Sequence, residues 1–279
     1  ATPVFVDIDA QTFNLDVNRV KAAITSQTKA ILPVHLFGQP VDMSHLMQVA
    51  KDSNLVVIED CAQATGAAWN NRKVGSIGHI GCFSFFPTKN LGGCGDGGAV
   101  TTNDPSLAAK VRMLREHGSR KRYYHEEIGI NSRLDSLQAA ILQVKLGYLD
   151  TWNAQRGEVA ALYDRLLAPI SGIVLPKAPS GGNSVWNQYT IRICDRDLNS
   201  TPYRELVRSQ LQERGISSMV YYPLPLHLQP VYDGLGYQPG QLPLAEQACR
   251  EVLSLPMFPD LSPAEQEQVV YGLKDSLAI

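Results

Sequence analysis

The sequence predicts an α/β fold in which a large domain, built on a mostly parallel sheet, is followed by a smaller α+β domain. In the first half, short apolar runs alternate with helical patterns, as in successive βαβ units. A stretch rich in proline, glycine and serine at 176–183 has the composition of a linker, and shorter mixed elements follow it. We therefore expect a large domain over residues 1–150, and a connecting helix with a small domain over residues 151–279.

The predicted elements of the first domain are short strands separated by helices. Apolar strand runs occur at 4–8, 30–34, 55–58, 80–86 and 97–101. Asp42 is placed to cap a helix that reaches about residue 52, and Asp104 with Pro105 begins another. The connection between the last two runs is too short for a crossover helix, so we expect these two strands to be antiparallel.

A long amphipathic helix is predicted next, opened by Ser132 together with Asp135. Its apolar residues recur at three- and four-residue spacing: Leu134, Leu137, Ile141, Val144 and Tyr148. We interpret this apolar stripe as a face buried in the core. An interface between subunits would need the same pattern.

In the second domain, the apolar runs at 185–193 and 216–222 are expected to be strands. Thr201 with Pro202 is expected to start a helix that ends before Gly215. Ser262, three residues before a glutamate, is expected to start the last helix through a capping box.

Composition excludes several classes of function. The formal net charge of −2 gives no basic field for nucleic acid or a membrane surface. No apolar run reaches the length of a transmembrane helix. The five cysteines form no CxxC pair, which indicates reduced thiols in a cytoplasmic protein and predicts no metal site.

Three successive strand ends carry side chains that together suggest a cofactor. His35, Asp60 and Lys89 each follow a predicted strand, and ligands gather at the carboxyl ends of strands in open α/β sheets. An amine that can form an imine, a carboxylate for a ring nitrogen and a flat ring suit pyridoxal 5′-phosphate. Gln63 is placed to hold the phenolic oxygen of the cofactor, and Ser84 could reach its phosphate.

Each of these residues has an ordinary structural alternative. Asp60 could cap the turn that follows it, His35 could be a core histidine bonded to backbone, and Gln63 could be a surface amide. Three such groups at converging strand ends are less readily explained in this way.

Four motifs in the first half resemble a known family: DCAQA at 60–64, SFFPTKNLG at 84–92, GDGGA at 95–99 and NSRLDSLQAA at 131–140. Together with YPLPLH at 222–227, they resemble the DegT/DnrJ/EryC1/StrS sugar aminotransferases, which are fold-type-I pyridoxal phosphate enzymes. The resemblance runs from residue 4 to the C-terminal helix. It implies the fold-type-I large domain followed by the smaller C-terminal domain.

The resemblance also implies a role for each matching residue. Lys89 is expected to be the Schiff-base lysine, with Asp60 at the pyridine nitrogen and Gln63 at the ring oxygen. Ser84 is expected to bind the phosphate, and Asn131 to reach the phosphate of the cofactor in the partner subunit. The family pattern therefore implies a homodimer with shared active sites.

The expected reaction moves an amino group from an amino acid, glutamate by family analogy, to the keto group of a nucleotide-linked deoxysugar. Arg120, Lys121 and Arg122 are candidates for binding the sugar's diphosphate or the donor's carboxylate. A solvated basic loop is the alternative for these three residues. Tyr222 and His227, in the last motif, are further substrate candidates.

The chain also departs from the family pattern. A leading segment, whose Gly-Thr turn grips the phosphate at a helix N-terminus, is not recognised here, and the chain begins at Ala1 without methionine. Ile130, Asn187 and Tyr221 replace residues common in the family, which implies a changed sugar pocket. A second hypothesis is therefore a non-catalytic remnant or binding subunit.

Two further classes fit the sequence less well. Family members that dehydrate sugars have histidine in place of the lysine, so Lys89 argues against that branch. No GxGxxG motif follows the first strand, which argues against a nucleotide-sugar oxidoreductase.

Overall fold

The computed structural model describes residues 1–194 and 201–277. The described helices are α1 Val17–Ala23, α2 Met43–Asp52, α3 Pro105–Arg115, α4 Ser136–Leu146, α5 Leu149–Leu167, α6 Tyr203–Glu213, α7 Pro243–Glu251 and α8 Pro263–Leu277. The described strands are β1 Ala30–Ile31, β2 Val56–Asp60, β3 Ala68–Trp69, β4 Arg72–Lys73, β5 Ile80–Ser84, β6 Gly98–Thr101, β7 Ser119–Lys121, β8 Tyr124–His125, β9 Ile173–Val174, β10 Gly182–Asn183, β11 Tyr189–Ile193 and β12 Val252–Leu255. Short 3₁₀ turns occupy Leu36–Gly38, Leu226–Leu228 and Pro230–Leu235. No described helix combines the length and the hydrophobicity that a bilayer span requires.

The central sheet has the strand order β1-β2-β5-β6. β1 pairs with β2 and β2 with β5 in parallel, whereas β5 and β6 are antiparallel, as their short connection predicted. The parallel strands end on one edge, where an isolated bridge joins Val34 to Asp60. The α/β fold class is therefore confirmed, and the predicted strand ends do converge.

The two faces of the central sheet differ in their cover. Along β2, Val57 and Glu59 are buried, while Val56 and Ile58 face the other way and are partly exposed. The buried face packs against α1 and α2, and Asp42 caps α2 as predicted, accepting a hydrogen bond from the backbone of His45 at 3.0 Å. The other face is apolar and open, with Leu32 exposed to 59%.

A second hydrophobic core lies in the C-terminal part of the chain. It begins at Val159 on α5 and joins that helix to α6, α8, β11 and β12. The capping box of Ser262 and Glu265 starts α8 as predicted, with each backbone N–H bonded to the other's side chain. We propose that the small domain is formed around this core, with the division at residues 150 and 151.

Several predicted elements are absent or shorter. The run 4–8 forms only a bridge between Ile8 and Leu15, and no strand of the described residues pairs along it. The run 216–222 similarly forms only a bridge at Met219. Ser132 lies outside α4, which begins after Asp135. Part of the expected linker pairs with β3 through β10.

The interpretation of the apolar stripe on α4 as a core face is wrong. Leu137 and Val144 are 72% and 68% exposed, and Tyr148 is 57% exposed. The small cluster beneath α4 is instead formed around Leu91, Leu142 and Leu149. The helix therefore presents most of its predicted apolar face to solvent.

Candidate active site

The edge of the sheet places Asp60 beside two polar strand residues. The register of β2 and β5 pairs Asp60 with Cys82, and Ser84 follows two residues later on the same face. Asp60 Oδ1 accepts a hydrogen bond from the backbone N–H of Ala62 at 2.9 Å, as its turn-capping alternative predicted. These four residues line a cavity of about 280 Å³. The cavity is polar at the strand ends and apolar along the sheet.

Lys89 stands on a tight turn just beyond β5. Its backbone N–H donates to the carbonyl of Phe86 at 2.9 Å, and its side chain is partly buried. Among residues 1–194 and 201–277, none forms a hydrogen bond or an ion pair with the Lys89 amine. Burial lowers the pKa of Lys89, while the charge of Asp60 raises it. An unpaired amine with a lowered pKa is suited to nucleophilic or proton-transfer chemistry.

Gln63 is held at both ends of its side-chain amide. Its Oε1 accepts from the backbone of Phe37 at 2.7 Å, and its Nε2 donates to the Tyr222 hydroxyl at 3.3 Å. Burial raises the pKa of Tyr222, and the charge of Asp60 raises it further. The structure therefore brings Tyr222 to Gln63 and Asp60, although Tyr222 lies 159 residues beyond Gln63 in the sequence.

His35 is a structural residue, and its expected role as a cofactor ligand is wrong. Its side chain is fully buried, and both ring nitrogens already have partners. The backbone N–H of Val41 donates to Nδ1 at 3.0 Å, which places the ring proton on Nε2. Nε2 in turn donates to Glu59 Oε2 at 3.0 Å. The alternative of a core histidine is the one that the structure supports.

Glu59 was missed by the sequence analysis, yet it fixes the loop before β5. Besides His35, its carboxylate accepts from the backbone N–H groups of Gly75, Ile77 and Gly78 at 2.8, 2.9 and 2.6 Å. Burial raises the pKa of Glu59, but the bonds from His35 and the two glycine amides outweigh it, so the net pKa is lowered. A carboxylate at the end of a strand gave no sign of which face it would occupy.

The buried group of His35, Glu59 and Cys61 has its ligand atoms within 4.8 Å of one another. Those atoms are engaged within the protein, since the histidine and the carboxylate are fully hydrogen-bonded. Burial raises the pKa of the Cys61 thiol, and the nearby charge of Glu59 raises it further. The group therefore has the character of a buried polar cluster rather than a metal site.

Asn90 was also missed, although it directly follows the lysine. Its Nδ2 donates to Asn153 Oδ1 at 2.7 Å and to the carbonyl of Val185 at 2.8 Å, and its Oδ1 accepts from Asn187 Nδ2 at 2.7 Å. These bonds tie the Lys89 turn to α5 and to the segment before β11. Their partners lie 63 to 97 residues away, so no local pattern could reveal them.

The three basic candidates for substrate binding lie on an exposed hairpin formed by β7 and β8. Arg120 is 3.7 Å from Glu126, Lys121 lies 4.8 Å from the centre of the Tyr124 ring, and Arg122 stacks on Tyr123. The hairpin thus keeps its cations at the surface. Its contact with a substrate stays a prediction.

The other candidates are more dispersed. Ser84 Oγ accepts from the backbone of Phe86 at 3.2 Å and lines the cavity. Asn131 is exposed and accepts from Arg133 Nε at 3.0 Å. His227 is buried, and its Nε2 lies 2.9 Å from Glu246 Oε1. Burial makes His227 a support for its own loop rather than a group open to a substrate.

The comparisons with known proteins agree with this arrangement. The model of the DegT/DnrJ/EryC1/StrS aminotransferase family matches residues 1–274. A pleiotropic regulatory protein of Geobacillus stearothermophilus is 54% identical over 97% of this chain and 71% of its own length. The dTDP-3-amino-3,4,6-trideoxy-alpha-D-glucose transaminase of Streptomyces venezuelae is 44% identical over 99% of this chain and 70% of its own length.

Among solved structures, that of S. venezuelae DesV in complex with a ketimine intermediate superposes with a TM-score of 0.93. It is 44% identical to this chain, and the match covers 99% of this chain and 72% of that one. The likeness extends over both hydrophobic cores and over the edge that carries Asp60 and Lys89. The chain belongs to the DegT/DnrJ/EryC1/StrS aminotransferase family.

Proposed function

We propose that the chain is a pyridoxal phosphate-dependent transaminase that moves an amino group from an amino acid, glutamate by family analogy, to a nucleotide-linked keto sugar. The observation that carries this proposal is the unpaired Lys89 amine at the strand edge that also carries Asp60. A relative with 44% identity is named as a dTDP-sugar transaminase, which supports the class of acceptor.

The residues at this edge fit the cofactor. Lys89 would bind the aldehyde carbon, and Asp60, which uses only Oδ1 within the described chain, would pair with the ring nitrogen through Oδ2. Gln63 Nε2 has a second hydrogen to offer the ring oxygen. Ser84 would contribute its hydroxyl to the phosphate, and together with Asp60 it lines the cavity of about 280 Å³ at this edge.

When bound, the cofactor supplies an aldehyde and an aromatic ring that accepts electrons from the carbon being deprotonated. The protein supplies the proton transfer. Because burial lowers the pKa of Lys89, a larger share of its amine is neutral and can take a proton from the donor carbon. Asp60 would hold the ring nitrogen, and Gln63 with Tyr222 would hold the side of the pocket.

The substrate's anionic groups would meet the basic hairpin. Lys121 and Arg122 rest on tyrosine rings and have no carboxylate partner within the described chain, so both cations are available to a diphosphate or a carboxylate. Tyr222, from the C-terminal half of the chain, is a further candidate for binding the substrate, because it is 49% exposed and lies beside Gln63.

We further propose a homodimer with shared active sites, in which Asn131 reaches the partner's cofactor. The exposed apolar residues Leu137 and Val144 on α4, with Tyr148 just beyond it, support this proposal because such patches commonly mark protein interfaces. Leu137→Glu with Val144→Glu is expected to give a monomer in sedimentation velocity, whereas Glu158→Gln on the exposed surface of α5 leaves the dimer. A wild-type chain that sediments as a monomer would refute the proposal.

All five cysteines are free, and we propose that the protein works in the reducing cytoplasm.

Borohydride reduction in the presence of the cofactor, followed by peptide mapping, tests the proposed function. A stable label is expected on Lys89, and none in the Lys89→Arg variant. Lys73→Arg, which replaces an exposed lysine bonded to the Gly66 carbonyl, is the matched control and keeps the label. A label on another residue would overturn the assignment. A folded chain that takes no label would favour the non-catalytic binding subunit.

A further inference from the structure

Within the described residues, no hydrogen bond or ion pair fixes the position of the Lys89 amine. Its side chain makes no hydrogen bond or ion pair with residues 1–194 or 201–277, so its place depends on the backbone turn that carries it. The next residue, Asn90, is buried and makes three side-chain hydrogen bonds, all shorter than 3.0 Å. Asn90 is therefore the strongest anchor next to the amine.

The orientation of these amides follows from their partners. The Val185 carbonyl can only accept, so the Asn90 amide nitrogen faces it and the Asn90 oxygen faces Asn187. Asn187 must then donate through Nδ2, which leaves its own Oδ1 buried with no partner among the described residues. Asn187 is 7% exposed. In this orientation the Asn187 amide nitrogen is bonded to Asn90, while its buried oxygen lacks a hydrogen bond within the described residues.

The cluster is attached firmly on the far side. Asn153, on α5, donates to the carbonyl of Thr65 at 3.1 Å while it accepts from Asn90. Arg156, one turn further along α5, donates through Nη1 to the carbonyls of Trp186 and Met257, both at 3.1 Å. Burial lowers the pKa of Arg156 to about 10. The segment that contains Asn187 is thus clamped from both sides.

We propose that Asn90, held by Asn187, is a positioning residue for Lys89: it fixes the turn so that the amine stays partly buried and faces Asp60. The proposal rests on the proposed function only in what the amine is used for. The placement itself belongs to the protein without cofactor. Without the anchor, the four-carbon stem of the lysine is free to carry the amine into water.

Competitive labelling with isotopic acetic anhydride, on the full chain without cofactor, tests this placement. The pH dependence of labelling gives the apparent pKa of Lys89, with exposed Lys51 as an internal reference in the same sample. In Asn90→Ala and in Asn187→Ala, the labelling midpoint of Lys89 is expected to move upward, toward that of Lys51, because solvation favours the charged amine. The double variant is expected to shift no further than Asn90→Ala, since both remove the same bond.

Gln266→Ala is the matched control, because it removes a buried amide that donates to the Val159 carbonyl in the other core. It is expected to lower stability and to leave the Lys89 midpoint unchanged. An unchanged midpoint in folded Asn90→Ala, or an equal shift in Gln266→Ala, would refute the positioning role. If Asn90→Ala does not fold, Asn187→Ala, which removes only one of the three bonds, decides the matter. Failure of borohydride labelling would leave this result unaffected.

Discussion

Replacing Glu59 with glutamine is expected to destabilise the protein strongly, although the side chain keeps its size. In the native protein, Oε1 accepts from the backbone of Ile77 and Gly78, and Oε2 accepts from Gly75 and His35. A glutamine oxygen can serve one of these pairs. Its NH₂ group must then face the two donors of the other pair.

The histidine cannot relieve this conflict. Its Nδ1 is occupied by the Val41 N–H, so the proton on Nε2 cannot move without breaking that bond. Two hydrogen bonds to a charged acceptor are therefore lost. The two buried N–H donors that made them are left facing the NH₂ group of the glutamine, which is itself a donor. At about 1.5–3 kcal/mol for each bond to a charged group, Glu59→Gln should lower the free energy of unfolding by about 3–6 kcal/mol. That is a large part of the ~5–15 kcal/mol typical of a folded protein.

Urea denaturation followed by circular dichroism measures this loss. Glu158→Gln, at an exposed position on α5, is the matched control and should change the free energy of unfolding by less than ~0.5 kcal/mol. A loss below ~1 kcal/mol in Glu59→Gln would mean that the four bonds are not formed together in solution. The placement of the His35 ring proton on Nε2 would then be wrong as well.

Three other outcomes are expected. Gly38 has φ +92°, and an added Cβ would lie 2.9 Å from the Asn187 backbone nitrogen, so Gly38→Ala should cost about 1–3 kcal/mol in urea denaturation; a neutral result would contradict the close approach. The pKa of Glu59 in the folded protein lies below its ordinary value of 4.5, so the stabilisation by its carboxylate is complete above pH 4.5 and is lost as the pH falls through the lowered pKa. The free energy of unfolding should therefore fall more steeply with acid in the wild type than in Glu59→Gln. Tyr222→Phe removes the partner of Gln63 Nε2 and should cost about 0.5–1.5 kcal/mol and weaken cofactor retention in equilibrium dialysis, whereas unchanged retention would place the hydroxyl outside the site.

The sheet and its edge could be predicted from sequence because their causes are local. Short apolar runs, the Asp42 and Asp104 caps and a connection too short for a helix determine the strands and their directions. Once the parallel order is known, residues that follow strands must meet at one edge. For this reason the neighbourhood of Asp60 and Lys89 follows from the sequence.

The remaining features depend on facing direction and distant partners, which local patterns do not contain. His35 follows a strand as Asp60 does, but its ring turns into the core toward Glu59. The apolar residues predicted for the α4 stripe recur at helical spacing, and such spacing alone does not distinguish a core face from an exposed interface. The bonds of Asn90 join residues that lie 63 to 97 positions away along the chain.

Helix α5 contacts both halves of the molecule. Its 19 residues span ~28 Å, with Asn153 and Arg156 near the beginning and Tyr163 and Leu167 in the C-terminal core. A rigid rod of this kind acts as a lever. Because Asn153 accepts a hydrogen bond from Asn90 at 2.7 Å, a tilt of α5 is expected to shift the turn that carries Lys89.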